Sequence, residues 1–462
     1  MGESARLRSG DPVAATSPWF DGARVSVVAA RGEIIGLVVQ HRGGGPVALR
    51  FPASGAALAV RGFAVEALAV PRPSTAMYGG SHGAGSYADG LVPADDPASD
   101  PAYFELEVAR DAPPGAMAGA LEVGGRSYPV ELTIAPVTLP ALPPRVWAYE
   151  DPREFAWAGA DERACIAMFR RHGVLLSPDV HLEDWPARKE LLSDIHDVPV
   201  WISDDPARAG DQVRGWLAAL AGTGQVPFAI PIDEPHTPAD RLRVRALADA
   251  VRAAGGGPTS FRFAVTDEPH DEYGDAVDLY ITLRPHRDDG SRTRWTYNGA
   301  PPRAGALVLD AEWRGMRTWG WIAWRWQIPI WYVWDAAYWH DRHNRHGAPL
   351  PGRALDATRD AVSFDDGEDH GNLDGVLAYP DAQASLRLVE IRRGVTDRAL
   401  LDALARCAGR PAADAIARSI MPTALAAAGL PPAPGAWPVD EQTWEAARGR
   451  VLDALVACAA PR

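Results

Sequence analysis

The stretch "VPFAIPIDEPHTPADRLRVRALADAV" (Val226–Val251) reads as a strand, an acidic turn and a helix. Its apolar start is closed by Pro235, and Thr237 with Pro238 supplies a helix beginning. The tetrapeptide Asp-Glu-Pro-His recurs in "SFRFAVTDEPH" (Ser260–His270), with the hexapeptides "PIDEPH" and "VTDEPH" starting at 231 and 265. One strand-helix unit separates the copies, so they read as the ends of two successive strands. In the first, Glu234 is in phase with Phe228, Ile230 and Ile232. In the second, Asp267 is in phase with Phe261, Phe263 and Val265. The copies have opposite parity, which predicts that they present different carboxyls.

The same rhythm extends outward from residue 146 to residue 410. "RVWAYED", "GVLLSPD", "VPVWISDD", "AVDLYITL", "IPIWYVWD" and "DGVLAYP" read as further strands. "DERACIAMFRRHG", "DQVRGWLAALAGTG" and "VLDAEWRGMRTWGWIAWRWQ" read as helices. This alternation fits a (β/α)8 TIM-like barrel, which needs about 250 residues and carries its site at the strands' C-terminal ends. An open doubly wound sheet is the rival, but its Gly-rich phosphate fingerprint is missing from the first strand-loop-helix unit.

Residues 1–140 read as short β-branched strands separated by Gly and Pro, the pattern of an antiparallel β-sandwich. "LPALPPR" (Leu139–Arg145) is a linker. The expected organisation is a sandwich over 1–140, a barrel over 141–410 and a helical tail over 411–462.

The chain has 462 residues, 47% apolar and 23% charged, with a net charge of -14. That composition describes a globular protein, and its acidity argues against nucleic acid as partner. No run approaches a membrane span, and the N-terminus lacks the apolar core of a signal peptide. The expected location is cytoplasmic, or extracellular or periplasmic if a leader was lost. Cys165, Cys407 and Cys458 are scattered. A Cys407–Cys458 bridge is conceivable, but free buried thiols are expected. "SFDDGEDHGNLDG" (Ser363–Gly375) lacks the spacing of a calcium loop and reads as a solvated acidic loop. His236, His270, His340 and His370 form no helical metal pair, so neither metal nor cofactor is expected. No Gly-x-Ser-x-Gly elbow supports serine catalysis.

An Asp-Glu pair is either catalytic or a pair of solvated loop charges. Pro235 and Pro269 are expected to hold the preceding glutamates extended at the strand end. Glu234, partly desolvated by tryptophans there, would suit a general acid. Nine of the 17 tryptophans fall between Trp295 and Trp339. They are either an aromatic core or a wall on which sugar rings stack.

Several segments together resemble domain-of-unknown-function-4091 proteins, a family related to glycoside hydrolase family 123. "DAPPGAMAGALEV" followed by "ELTIAPVTLP" looks like the sandwich preceding their barrel. "PIDEPH", "WTYNGAPP" (Trp295–Pro302) and "RTWGWIAWRWQIPIWYVWDAAYW" are similar to their site blocks. "DGVLAYPDAQASLRLVEIRRGVTDRALL" resembles their terminal motif. The resemblance implies a retaining glycosidase acting on a β-linked N-acetylhexosamine, with GalNAc as the expected sugar. In such enzymes the substrate's own acetamido oxygen attacks C1. It also implies that Glu234 protonates the leaving oxygen and that Asp233 holds the acetamido N–H. Trp295, Tyr297, Trp334 and Trp339 are the expected sugar contacts. The competing expectation is a non-catalytic carbohydrate-binding or structural protein on the same scaffold.

Overall fold

The computed structural model describes residues 2, 7–41, 44–141, 143–283, 293–299, 301, 303–311, 315–339, 362–365, 369–422 and 437–459. The N-terminal region folds into two sheets. One orders Leu7–Arg8, Gly85–Pro93, Leu58–Val70, Ala102–Val108 and Ile34–Val39 with antiparallel neighbours. The other orders Val25–Arg31, Arg126–Thr138, Gly115–Val123 and Val47–Arg50. Val25, Val27 and Ala29 are buried while Ser26 and Val28 are exposed. They share one core with Leu37, Phe104, Leu106 and Leu132, so the inner faces of the two sheets meet. The sandwich is not wholly antiparallel, because Val25–Arg31 runs parallel to Arg126–Thr138.

The next region carries eight short strands: β1 (Val146–Ala148), β2 (Val174–Leu176), β3 (Asp197–Pro199), β4 (Val226–Ala229), β5 (Arg262–Val265), β6 (Leu279–Thr282), β7 (Thr293–Tyr297) and β8 (Trp331–Val333). They form one parallel sheet in the order β2-β1-β8-β7-β6-β5-β4-β3. Beyond the outer strands, Val180 forms a parallel bridge with Val200, so the two edges of the sheet approach each other. The rings of Trp147, Phe228 and Trp295, from β1, β4 and β7, pack edge-to-face at 5.0 and 4.8 Å. These strands are not neighbours, and only the concave side of a curled sheet can bring their side chains together.

Two sequence expectations change here. "DGVLAYP" is not a strand of this sheet. Its Ala378–Tyr379 pairs with Gln383–Ala384 in a hairpin, and the Tyr379 hydroxyl donates to Asp89 of the sandwich at 2.6 Å. The eighth strand is instead Thr293–Tyr297, five residues long after a charged stretch that masks its start. The helical layer is also uneven. Helices Glu162–Arg171, Pro206–Ala219 and Pro238–Ala253 follow β1, β3 and β4, whereas β5 and β6 are joined through one 3-10 turn, Asp271–Tyr273.

The helix Leu386–Ala408 lies where sandwich, sheet and tail meet. Arg387 pairs with Asp89 at 2.9 Å and Arg393 with Glu33 at 3.2 Å. Arg392 pairs with Glu105. Gly394 permits contact with the helix Arg317–Trp326. A Cβ on Gly394 would lie 2.7 Å from the Arg317 carbonyl oxygen, and one on Gly320 would lie 1.8 Å from that of Gly394. The tail helix Glu441–Ala459 returns to this centre, where Arg448 pairs with Glu33 at 2.6 Å. Cys407 and Cys458 form a disulfide, correcting the expectation of free thiols, while Cys165 is free and buried.

Candidate active site at the strand ends

The strand β4 stops at Ala229, and residues 230–236 cross its end irregularly before the helix begins. Thr237 and Asp240 close a capping box there. The Thr237 hydroxyl accepts the Asp240 N–H at 3.1 Å, and the Asp240 carboxylate accepts the Thr237 N–H at 3.2 Å. The acidic pair is thus fixed between a strand end and a capped helix start.

The register places the second copy beside the first. Phe228 pairs with Arg262 and Ala229 with Phe263, an offset of 34 positions (262 minus 228), equal to the offset of the two tetrapeptides (265 minus 231). The copies therefore leave adjacent strands at matching positions. Their opposite apolar parity has another cause. Phe228 faces the concave side of the sheet, and alternation puts Phe263 on the opposite face.

Thr266, just past β5, joins the copies. Its hydroxyl accepts the Glu234 N–H at 2.7 Å and donates to Asp233 Oδ1. From the end of β7, the Tyr297 hydroxyl donates to Glu234 Oε1 at 2.8 Å. Burial, followed by the charge on Glu234, pushes the Tyr297 hydroxyl well above the ordinary tyrosine range, so it remains a donor. Tyr297 lies 6.4 Å from Tyr332, which in turn stacks on Trp147 at 4.5 Å. The glutamate is thereby braced against the aromatic interior of the sheet.

Glu234 has φ of +40°, in the left-handed region rather than the extended conformation expected before proline. Asp233 and Glu234 are also both exposed. Among the described residues, a tyrosine and a threonine hold them. Asp267, by contrast, is committed elsewhere. It accepts from Arg241 at 3.1 Å and from the Tyr273 hydroxyl, with His270 at 3.4 Å.

The four aromatic residues expected to touch sugar divide. Tyr297 is at the acidic pair. Trp334 is half-buried on β8's extension, its indole N–H donating to Asp374 at 2.8 Å. Trp295 and Trp339 are each only 1% exposed and offer no ring face to a ligand. Trp295 fills the concave core. Trp339 packs on Phe155 and donates to the Ala378 carbonyl at 2.9 Å. Trp319 and Trp331 stack on each other at 4.9 Å, so this part of the tryptophan-rich segment is core.

The sequence reading missed other residues at the same ends. Tyr149 follows β1, Asp179 follows β2 and Tyr332 lies in β8. Burial, and after it the charge on Asp179, raises both tyrosines well above their usual range. Trp201, 36% exposed past β3, stacks on His181 at 4.5 Å. The available signal was position, since Tyr149, Asp179 and Trp201 all fall within three residues of a strand end. A groove of about 400 Å³ exists in the sandwich, lined by residues such as Val13, Phe20, His41 and Tyr128. In the described part of the acidic loop, Asp369 accepts from Thr75 and Asp374 from Tyr78 and Trp334. Among the described residues, no helix is long and apolar enough to cross a membrane.

No family model matches the sequence, and no curated protein matches it. Solved structures do. A family 2 glycosyl hydrolase from Bacteroides cellulosilyticus aligns over 70% of this chain and 47% of its own, at 11% identity and a TM-score of 0.28. A putative alpha-galactosidase from Bacteroides fragilis aligns over 67% and 73%, at 8% identity and a TM-score of 0.23. Both are too distant to bear on the site. A family 123 glycoside hydrolase from Clostridium perfringens, described for glycolipid glycan hydrolysis, aligns over 86% of this chain and 87% of its own, at 11% identity and a TM-score of 0.59. The chain therefore has a glycoside-hydrolase-like fold, shared with that family 123 enzyme along most of both chains.

Proposed function

We propose that this protein is a glycoside hydrolase that removes a terminal β-linked N-acetylhexosamine, with GalNAc as the first candidate. In this reading the curled parallel sheet is a (β/α)8 barrel and its C-terminal rim is the active site. The observation that carries it is the joint anchoring of adjacent carboxylates, Asp233 by Thr266 and Glu234 by Tyr297. Preorganised groups of this kind are what acid–base chemistry requires.

Glu234 protonates the glycosidic oxygen as the substrate's acetamido oxygen attacks C1. The C1–O bond to the aglycone breaks and an oxazolinium forms. Asp233 accepts the acetamido N–H and offsets the positive charge. Water then attacks C1, giving its proton to Glu234 and reopening the ring, so configuration at C1 is retained. Because Tyr297 donates to Oε1, the transferable proton sits on Oε2.

A second reading, a carbohydrate-binding protein that lost catalysis, is favoured by the exposure of both carboxylates. The two separate in a screen of nitrophenyl β-glycosides with and without a 2-acetamido group. The first reading expects release from GalNAc or GlcNAc glycosides and none from galactosides or glucosides. Equal turnover without the acetamido group sinks the substrate-assisted mechanism. Binding without turnover of any of these glycosides supports the second reading. The Cys407–Cys458 bridge favours an oxidising compartment, and hence the exported alternative for its location.

A further inference from the structure

Asp179, three residues past β2, has no part in the acid–base steps above. Its Oδ1 is buried and, among the described residues, has no hydrogen-bond partner. Buried carboxyl oxygens are nearly always hydrogen-bonded, and leaving one bare is costly. The backbone around it is rigid. Val180 donates to the Pro199 carbonyl at 3.1 Å and accepts the Trp201 N–H at 2.9 Å. Next to it, His181 stacks on the exposed Trp201. Asp179 is close enough to act electrostatically on Tyr149 and Tyr332, and Asp233 on Asp179. The ends of β4, β7 and β8 meet through Tyr297, which donates to Glu234 and lies 6.4 Å from Tyr332, and the bare acceptor past β2 lies within electrostatic reach of that cluster.

We propose that Asp179 accepts a hydrogen bond from a ring hydroxyl of the sugar seated beside Asp233, and so selects the configuration of that hydroxyl. This rests on the glycosidase reading for the identity of the ligand. The donors and acceptor suit a polyol in their chemistry: Tyr149 and Tyr332 can donate to sugar oxygens, while Asp179 can only accept once ionised. Discrimination of this kind is strong, because an analogue lacking the hydroxyl leaves a buried acceptor bare. Burial, then the charge on Asp233, lifts the Asp179 carboxyl to about 7. Sugar hydroxyls favour the ionised form, so binding weakens as pH falls below about 7. The titratable groups around it are Asp233, Tyr149 and Tyr332, with Asp335 acting on the same two tyrosines and His181 two residues along the chain.

The test is calorimetric titration of the full chain with N-acetyl-D-galactosamine and its 3-, 4- and 6-deoxy analogues. Asp179→Asn is expected to weaken binding of the parent sugar 10- to 100-fold. One deoxy analogue should bind the wild type as weakly as the parent binds the variant, with no further loss on combining the two. A variant that binds the parent normally, or that loses the same factor for every analogue, overturns the inference. Should the variant not fold, wild-type affinity that is constant from pH 5 to pH 8 overturns it. Sugar binding through Asp179 without turnover leaves the inference standing while the hydrolase reading fails. Binding of none of the four sugars overturns both.

Discussion

The Tyr297 hydroxyl donates to Glu234 Oε1 at 2.8 Å, linking the ends of two strands that are separated by β5 and β6 in the sheet. Glu234→Gln is expected to reduce release of nitrophenol from an aryl β-GalNAc glycoside at least 100-fold, in the range typical of a lost acid–base group. Glu268→Gln, at the matching position of the second copy, should retain most activity. Steady-state kinetics on both variants decide the matter, and equal losses would remove the distinction between the two copies.

Tyr297→Phe keeps the ring against Tyr332 and removes only the donor. The variant should lose roughly 10-fold in kcat with little change in KM, because in the proposed mechanism the bond orients the acid rather than the sugar. A rise in KM alone would show that Tyr297 works by touching substrate.

Thr266 serves both carboxylate residues, accepting from the Glu234 backbone and donating to Asp233. Thr266→Val has nearly the same shape and lacks both bonds, whereas Thr266→Ser keeps them. A 10- to 100-fold loss of kcat/KM in the valine variant, rescued in the serine variant, is the expected pattern. Similar losses in both would point to packing of the γ-methyl group instead.

The local alternation of residues made most of this fold legible, and the long-range arrangement much less so. Seven of the eight strands of the sheet stand out in the sequence as apolar runs. Thr293–Tyr297 does not, because it is short and interrupted by Arg294 and Thr296, with only Trp295 and Tyr297 as its apolar residues. The acidic pair was legible because Pro235 and Thr237 punctuate it. Its environment was not: Tyr297 and Thr266 come from other strands, and only the register reveals that the repeat offset is a pairing offset. Tryptophan count is a poor guide to exposure, since a ring that satisfies its indole N–H internally, as Trp339 does at Ala378, can be buried outright. The motif "SLRLVEIRRGVTD" was legible as a signature. In the structure its Arg387, Arg392 and Arg393 pair with sandwich carboxylates, a packing role that no local periodicity encodes.

The positive φ of Glu234 places strain at the residue proposed to do chemistry. Glycine adopts this conformation freely and alanine does not. Glu234→Gly should therefore melt above Glu234→Ala, by roughly 1–2 °C for about 1 kcal/mol in a chain of this size. Both variants should be inactive. A lower melting temperature for the glycine variant, in thermal denaturation under one buffer, would argue that the left-handed turn carries no strain.

Asp179 should make the protein less stable at neutral pH than in mild acid. Its folded carboxyl titrates at about 7, above the ordinary 3.8, so the folded state holds a proton that the unfolded state releases. Stability from this group is full below about pH 4 and is lost as pH rises through about 7, by at most about 4 kcal/mol. Asp179→Asn should remove that decline. The check is melting temperature at pH 5 and pH 8 for both proteins, where the variant's advantage at pH 8 should shrink at pH 5.

Acid instability should arise at the junction of sandwich and sheet. Burial opposes charge on Glu105, but Arg392, His172 and Arg171 outweigh it and hold the carboxyl at about 2. Burial, then Arg392, pushes His172 down to about 3. Both shifts act in the same direction, because the unfolded state binds the extra proton in each case. For His172 stability falls as pH drops from about 6.5 toward 3, and for Glu105 from about 4.5 toward 2. The Glu105 shift alone corresponds to about 3 kcal/mol. Glu105→Gln should be strongly destabilised at pH 7, since it leaves the guanidinium of Arg392 buried without its carboxylate. As pH approaches 2 the wild type loses the same charge, so the melting temperatures of the two proteins should converge. A difference that persists unchanged from pH 7 to pH 2 would mean that the ion pair does not bear on the junction's stability.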